Sequence, residues 1–474
     1  QAKDGIRDYD VTGVQTCALP IFLNRVIEKA IRGSAPAQIN IPRDYWTQVI
    51  DIELPQIVRL ERPAGGAAAI AEAAKLLSEA KFPVILSGAG VVIGGAIADC
   101  IALAERLDAP VCSGYQHNDS FPGSHPLAAG PLGYNGSRAA MELIAQADVV
   151  LALGTRLNPF STLPGYGIDY WPQDAAIIQV DINADRIGLT KKVTVGICGD
   201  AKLVARQILG QLSPTAGDDG REERKALIHQ TKSAWLQTLS SLDHEEDDPG
   251  TTWNADCRDR EPDHMSPRQA WRAIQDGLPK DVIISSDIGN NCAIGNAYPT
   301  FEEGRKYLSP GLFGPCGYGF PSIIGAKIGN PDTPVVGFAG DGAFGISMNE
   351  MTSCGREEWP GITMVIFRNY QWGAEKRNSI LWYDNNFVGT ELDPDLSFAK
   401  VAEGCGLKGI AVTTQSELTQ ALKEACDAQK EGVTTFIEVI LNQELGEPFR
   451  RDAMTAPVEV AGIDPNDMKP QQPI

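Results

Sequence analysis

Stretches of helical and of strand periodicity alternate along most of this 474-residue chain. Apolar residues recur at helical spacing over Leu23–Ile31, and Ala37–Ile41 then alternates like a strand that stops at Pro42. One helix and one strand cannot bury a core, so residues 22–54 read as the remnant of a domain whose bulk lies upstream. Between Pro63 and Leu212 the pattern predicts helices over Ala67–Ala80, Ile97–Leu107 and Asp200–Leu212. Short apolar strands fall between them at Pro83–Ser87, Ala109–Ser113, Asp148–Leu153 and Ala175–Val180. A second series follows from Ser266 to Leu441. Its helices are Pro267–Leu278, Phe320–Ile328 and Gln415–Gln429, and its strands are Val282–Ser286, Pro334–Ala339, Ile362–Phe367 and Thr435–Ile440. Short, continuously apolar strands alternating with helices predict parallel sheets covered on both faces. The fold class is therefore α/β: two doubly wound parallel-sheet domains, 63–212 and 265–445, beside the small remnant and a tail, 446–474.

Ser213–His264 breaks the alternation. It is polar and acid-rich, with HEEDDPG at His244–Gly250 and DCRDREPD at Asp256–Asp263, and reads as a linker holding one helix, Glu222–Leu239. Residues 1–21 are set aside as a non-native leader, because Asp4–Ile21 (DGIRDYDVTGVQTCALPI) resembles translated sequencing-adapter read-through.

Composition narrows the function. The 41 basic and 61 acidic residues leave a net charge of −20, which argues against a nucleic-acid partner, whose phosphates call for clustered Lys and Arg. An anionic substrate must then be held by local groups. No apolar run is long enough to span a bilayer. The ten cysteines are scattered without metal-ligand spacing and read as reduced thiols of a cytoplasmic protein.

The strongest chemical signal is Gly340-Asp341-Gly342-Ala343, placed after the apolar strand Pro334–Ala339, with Asn369 at the end of the next strand. Glycines on either side of the aspartate let the backbone approach a diphosphate, while the carboxylate binds a hard divalent cation that bridges its oxygens. The Asn369 amide oxygen and a carbonyl at Gln371 would complete the protein's share of an octahedral Mg²⁺ site. A lone GDG is ordinarily a β-turn. The whole arrangement of strand, GDGA, helix, strand and Asn is what argues for the site.

This pattern resembles the cofactor motif of the thiamine-diphosphate superfamily that includes pyruvate oxidase, acetolactate synthase and pyruvate decarboxylase. Ser285-Ser286-Asp287-Ile288-Gly289-Asn290-Asn291 is similar to the family's diphosphate-holding strand end. Leu312-Phe313-Gly314-Pro315-Cys316-Gly317-Tyr318-Gly319-Phe320-Pro321 is similar to the loop against the thiazolium. The resemblance also extends to Pro83–Gly90, His125–Leu127, Gly154–Arg156 and Val180–Asn183, and so covers nearly everything from Phe22 to Leu445. Within the superfamily, Phe367–Asn378 and Gly314–Tyr318 are similar to sulfoacetaldehyde acetyltransferases and unlike acetolactate synthases.

The resemblance implies thiamine diphosphate and Mg²⁺ as cofactors. It implies a cofactor site of Asn290, Asn291, Cys316, Tyr318, Gly340, Asp341, Gly342, Ala343, Asn369, Gln371 and Trp372, with Asp341, Asn369 and Gln371 on the metal. It further implies conversion of sulfoacetaldehyde and phosphate to acetyl phosphate and sulfite, and a homodimer or homotetramer. The family's activating glutamate would lie in the N-terminal pyrimidine domain, so the fragment would be inactive alone. An acetolactate synthase-like enzyme acting on pyruvate and a non-catalytic subunit remain as alternatives.

Two departures stand out. Cys316 occupies a position where many relatives have a larger apolar residue that props the cofactor; plain core packing is its ordinary reading, and a nucleophilic role comes last. Arg368-Asn369 replaces the common Asn-Asn pair while keeping the metal-ligand position. Lys376 and Arg377 read first as a solvated helix face, and second as holders of sulfonate or phosphate. Gly88 and Gly90 read as structural rather than as a dinucleotide loop, since a lone GxG is weak. No histidine falls in the cofactor motifs, and His125 serves its own loop.

Overall fold

The computed structural model describes residues 18–33, 35–47, 49, 61–216, 220–244, 264–311, 313–356 and 358–445. The acidic runs of 245–263, the tail and nearly all of the leader lie outside them. The chain divides into two compact units, Gln1–Arg62 and Pro63–Ile474.

In the first unit the expected helix forms as Ala18–Gly33, followed by a 3₁₀ turn at Arg43–Thr47. Ala37–Ile41, expected as a strand, is irregular. Alternation becomes a strand only when a second strand takes up its hydrogen bonds, and none is paired with it among the described residues. Phe22, Leu23, Ile27 and Ile31 of the helix stay exposed, as does Trp46.

The second unit carries two six-stranded sheets in which every neighbouring pair is parallel. The first comprises β1 (Pro83–Ser87), β2 (Val111–Ser113), β3 (Ala128–Pro131), β4 (Val149–Leu153), β5 (Ala176–Asp181) and β6 (Val195–Cys198), in the order β3-β2-β1-β4-β5-β6. The second comprises β7 (Ile283–Ser286), β8 (Tyr307–Leu308), β9 (Val335–Gly340), β10 (Thr363–Arg368), β11 (Lys408–Val412) and β12 (Thr435–Ile440), in the order β11-β12-β10-β9-β7-β8. The expected fold class of two doubly wound α/β sheets is what the structure contains. Helices over Ala67–Glu79, Ile97–Leu107, Ala201–Gln211, Pro267–Gly277, Gly319–Gly329 and Gln415–Ala428 form where the periodicity places them. Asp200 caps the third through the amides of Lys202 and Leu203, and Ser266 and Thr414 begin capping boxes on the fourth and last.

In the first sheet the order reverses between β1 and β4, where a dinucleotide fold would open its crevice. Here the loops close on each other: the Gly90 amide donates to the Gly154 carbonyl at 2.8 Å, and a Cβ on Gly88 or Gly90 would stand 2.6–2.7 Å from the Gly154–Thr155 segment. These glycines are needed for that loop-to-loop packing.

The helix expected within the linker runs Arg221–His244 and is packed. Ile228 joins the core of the first sheet, and Trp235 and Leu239 join a core of the second. Its buried Arg224 donates to the carbonyls of Lys81 and Leu107 at 2.9 and 3.3 Å. Among the described residues, no helix is long and apolar enough to cross a membrane.

The second sheet has a core on each face. One gathers Trp271, Phe338, Val365, Phe367, Ile437 and Val439, and the other Phe320, Phe344, Ile366, Phe398 and Phe436. Its strand order reverses between β7 and β9, so the crevice at their carboxyl ends is where this fold holds a ligand.

Candidate functional site

Register brings the three motif loops to one edge. Ser286 of β7 pairs with Phe338 of β9, and Gly340 of β9 pairs with Phe367 of β10, so the loops beginning at Asp287, Asp341 and Asn369 leave adjacent strands side by side.

Asp341 opens a helix, Asp341–Ser347, directly from the end of β9. Its Oδ2 accepts from the Tyr370 amide at 2.7 Å and from Arg368 Nη1 at 3.1 Å, while Oδ1 accepts from the Gly342 amide at 2.9 Å. Tyr370 adopts a left-handed φ of 60°, unusual for a bulky residue, in the turn that aims its amide at this carboxylate. Burial pushes the Asp341 carboxyl up to about 6, against the opposing pull of Arg368 and the two amides. A buried carboxylate that retains this desolvation cost is a site at which a bound cation is strongly favoured.

The neighbouring atoms suit a hard cation and a diphosphate. Asn369 Oδ1, Gln371 Oε1, Asn291 Oδ1 and Asn290 Nδ2 are all buried without a hydrogen-bond partner, a state that costs free energy until something fills the site. One carboxylate with amide oxygens is an oxygen donor set of the Mg²⁺ type. Among the described residues, no group of three His, Cys, Asp or Glu side chains could hold a metal ion, which leaves out a soft-metal site of that kind. A Cβ on Gly340 would enter open space, and one on Gly342 would stand 2.8 Å from the Trp372 ring. Gly340 thus leaves backbone accessible to a ligand, and Gly342 lets Trp372 pack over the loop beside buried Ala343.

Asn290 and Asn291 come from the β7 loop. The Asn290 side-chain oxygen lies 3.4 Å from Tyr134 Oη, and the Asn291 carbonyl accepts from Trp271 Nε1 at 2.6 Å. Cys316 and Tyr318 lie on a loop organised by Asp287, whose Oδ1 accepts from the amides of Ile288 (2.7 Å) and Gly317 (3.1 Å) and whose Oδ2 accepts from Gly319 (2.7 Å). Cys316 is half-buried against the Phe320 core, and burial followed by Asp287 and Glu375 raises its thiol pKa. Packing is therefore the reading its surroundings support, since nucleophilic thiols are held low.

Lys376 and Arg377 overturn their first reading. Both are buried, at 7% and 1% exposure, and neither forms a solvated face. Lys376 Nζ pairs with Glu391 at 2.8 Å, while Arg377 stacks over Tyr134 and donates to the Leu445 carbonyl. The helix they belong to, Gly373–Trp382, starts against Asn290 and turns these side chains inward. The structure also adds three residues absent from the expected site: Asp287, Arg368 and Glu438. Their signal was in the sequence, as single charges within or ending apolar strands, where parallel sheets are buried on both faces.

Comparison with known proteins identifies the family. Two family models match: the central domain of thiamine pyrophosphate enzymes over residues 70–208, and their C-terminal TPP binding domain over 287–439. The chain is 79% identical over 454 residues to a probable sulfoacetaldehyde acetyltransferase of Rhizobium meliloti (strain 1021), covering 96% of this chain and 77% of that protein. It is 74% identical over 450 residues to the sulfoacetaldehyde acetyltransferase of Roseovarius nubinhibens, covering 95% and 75%. Identity falls to 30% over 428 residues for a probable acetolactate synthase large subunit of Methanococcus aeolicus, covering 87% and 69%. Among solved structures, benzoylformate decarboxylase from Polynucleobacter necessarius matches with a TM-score of 0.71 over 92% of this chain and 76% of that one, at 20% identity, a likeness of fold. With such identity to both acetyltransferases over three-quarters of their length, the chain belongs to the sulfoacetaldehyde acetyltransferase family of thiamine pyrophosphate enzymes.

Proposed function

We infer that this chain, with thiamine diphosphate and Mg²⁺, converts sulfoacetaldehyde and phosphate into acetyl phosphate and sulfite. The observation that carries the reading is the 79% identity to the Rhizobium meliloti protein, over a stretch covering 96% of this chain. The probable acetolactate synthase large subunit of Methanococcus aeolicus, which stands for the pyruvate alternative, is 30% identical. When bound, the cofactor supplies a nucleophilic carbon and an electron sink for the two-carbon unit.

Asp341, Asn369 and Gln371 would hold Mg²⁺ through oxygen, the first supplying the charge. Asn290, Asn291 and the backbone of Gly340, Gly342 and Ala343 would receive the diphosphate. Cys316, Tyr318 and Trp372 would line the ring side and exclude water. Sulfite leaves with the electron pair of the carbon–sulfur bond, so the overall reaction needs no oxidant. A homodimer or homotetramer accompanies this reading.

The test compares sulfite and acetyl phosphate formed from sulfoacetaldehyde with acetolactate formed from pyruvate. It uses this chain and a chimera joined to the part of the Rhizobium meliloti relative that the match leaves uncovered. Sulfite release that requires phosphate is the expected result, and preferred turnover of pyruvate would refute the reading. Asn369→Ala should weaken Mg²⁺-dependent cofactor binding by about tenfold, the scale of one lost neutral polar contact. Unchanged affinity in calorimetry would move the ligand elsewhere in the loop after β10.

A further inference from the structure

Arg368 touches the site only through Asp341, yet it is 1% exposed. It ends β10, with its guanidinium 4.3 Å from the Tyr370 ring centroid and 5.5 Å from that of Phe398. Nη1 reaches Asp341 Oδ2 at 3.1 Å, Nη2 donates to the carbonyls of Asp393 and Leu396, and Nε lies 3.6 Å from Glu438 Oε1. Glu438 is itself buried within β12, where its other oxygen accepts from Ser397 Oγ at 2.7 Å and from the Ala399 amide at 3.1 Å.

Asp341, Arg368 and Glu438 thus form a buried row of alternating charge. Its formal charges of −1, +1 and −1 sum to −1. Without Glu438, Arg368 would cancel Asp341, and a carboxylate cancelled by a guanidinium is a poor ligand for a divalent cation, because two positive groups then compete for one negative charge. We propose that Glu438 is a positioning residue for cation binding: it balances Arg368, so that the guanidinium orients Asp341 without neutralising it. The inference rests on Asp341 being the Mg²⁺ ligand. Arg368 then contributes orientation, and Glu438 restores the charge that orientation would otherwise remove. Outer partners of metal ligands act in this way on affinity.

The experiment measures Mn²⁺ bound to the full chain by electron paramagnetic resonance in the presence of thiamine diphosphate. Glu438→Gln keeps an acceptor for Ser397 and Ala399 but loses the charge, and should weaken Mn²⁺ binding by about 10–100-fold. Adding Arg368→Met to Glu438→Gln removes the competing cation, and should return affinity to within about threefold of the unsubstituted chain, a coupling a double-mutant cycle reads directly. A merely structural role would make the double variant no better than the single one. Unchanged affinity in Glu438→Gln, or no recovery in the double variant, would overturn the proposal. Thermal unfolding checks that Glu438→Gln folds. If it does not, Glu438→Leu with Arg368→Met must still bind Mn²⁺ within about threefold, and failure there overturns the proposal too. Absence of binding by the unsubstituted chain would instead sink the metal assignment, and this inference with it.

Discussion

Replacing Asp341 with Ala is expected to abolish Mg²⁺-dependent binding of thiamine diphosphate. Asp341 is the carboxylate among the three proposed metal ligands, and Asn369 and Gln371 are neutral. Its oxygens are held in place by the amides of Gly342 and Tyr370 and by Arg368, so the site loses both a charge and a fixed direction. Removing an outer partner of a metal ligand costs about 10–100-fold in affinity, and removing the anionic ligand itself should exceed that range. In the same variant Arg368 is left facing Glu438 alone, so the remaining buried pair is neutral and the fold should survive. Calorimetric titration of cofactor with and without Mg²⁺ decides the matter. An affinity within threefold of the unsubstituted chain would remove Asp341 from the metal site.

Trp271→Ala should produce the largest loss of stability, and through it a loss of cofactor binding. Trp271 is fully buried in one core of the second sheet, 4.8 Å from the Phe338 ring and 5.4 Å from that of Phe367. A Cβ on Gly295 would stand only 2.2 Å from its ring, which shows how closely the Asn290–Ile294 helix and the turn after it are fitted to the indole. Truncating so large a core side chain costs about 3–5 kcal/mol. The Asn291 carbonyl also loses the Nε1 donor at 2.6 Å, an additional cost of about 1 kcal/mol or more if nothing replaces it. The shift should appear in the denaturant transition of the C-terminal domain. Trp271→Phe keeps most of the packing and should lose mainly the hydrogen bond, so Asn290 and Asn291 become less well held at smaller stability cost. A loss under about 1 kcal/mol for Trp271→Ala would mean that the pocket collapses or fills with water.

Much of the fold was legible in the chain because burial on both faces leaves a plain signature. Pro83–Ser87 is a continuous apolar run and Thr435–Ile440 an apolar run broken only by Glu438, and both form interior strands with the limits expected of them. The strands the pattern did not reveal, β3, β6, β8 and β11, are short or lie at sheet edges, where one flank is unpaired and a run such as Ala128–Pro131 carries no apolar signal. Ala37–Ile41 failed in the opposite direction, since it has the alternation of a strand without a partner to pair with among the described residues.

The candidate site divides in the same way. Asp341, Gly340, Gly342 and Asn369 could be proposed from the sequence, because a turn that brings backbone to a diphosphate needs glycine, a hard cation needs oxygen, and the strand–GDGA–helix–strand–Asn arrangement places both together. The fates of Lys376, Arg377, Arg368 and Glu438 could not. Adjacent basic residues on a helix are usually solvated. Whether a particular helix turns them inward depends on the packing of Gly373 against Asn290 and on partners as distant in sequence as Leu445 and Tyr134. The sequence by itself determined the interior strands and the longer helices and pointed to the loop proposed to hold a metal diphosphate, since both readings rest on local periodicity and local chemistry. Only the tertiary structure decided which charges are buried and what neutralises them, because a buried charge is tolerable only beside a partner, and strand order rather than sequence order chooses that partner.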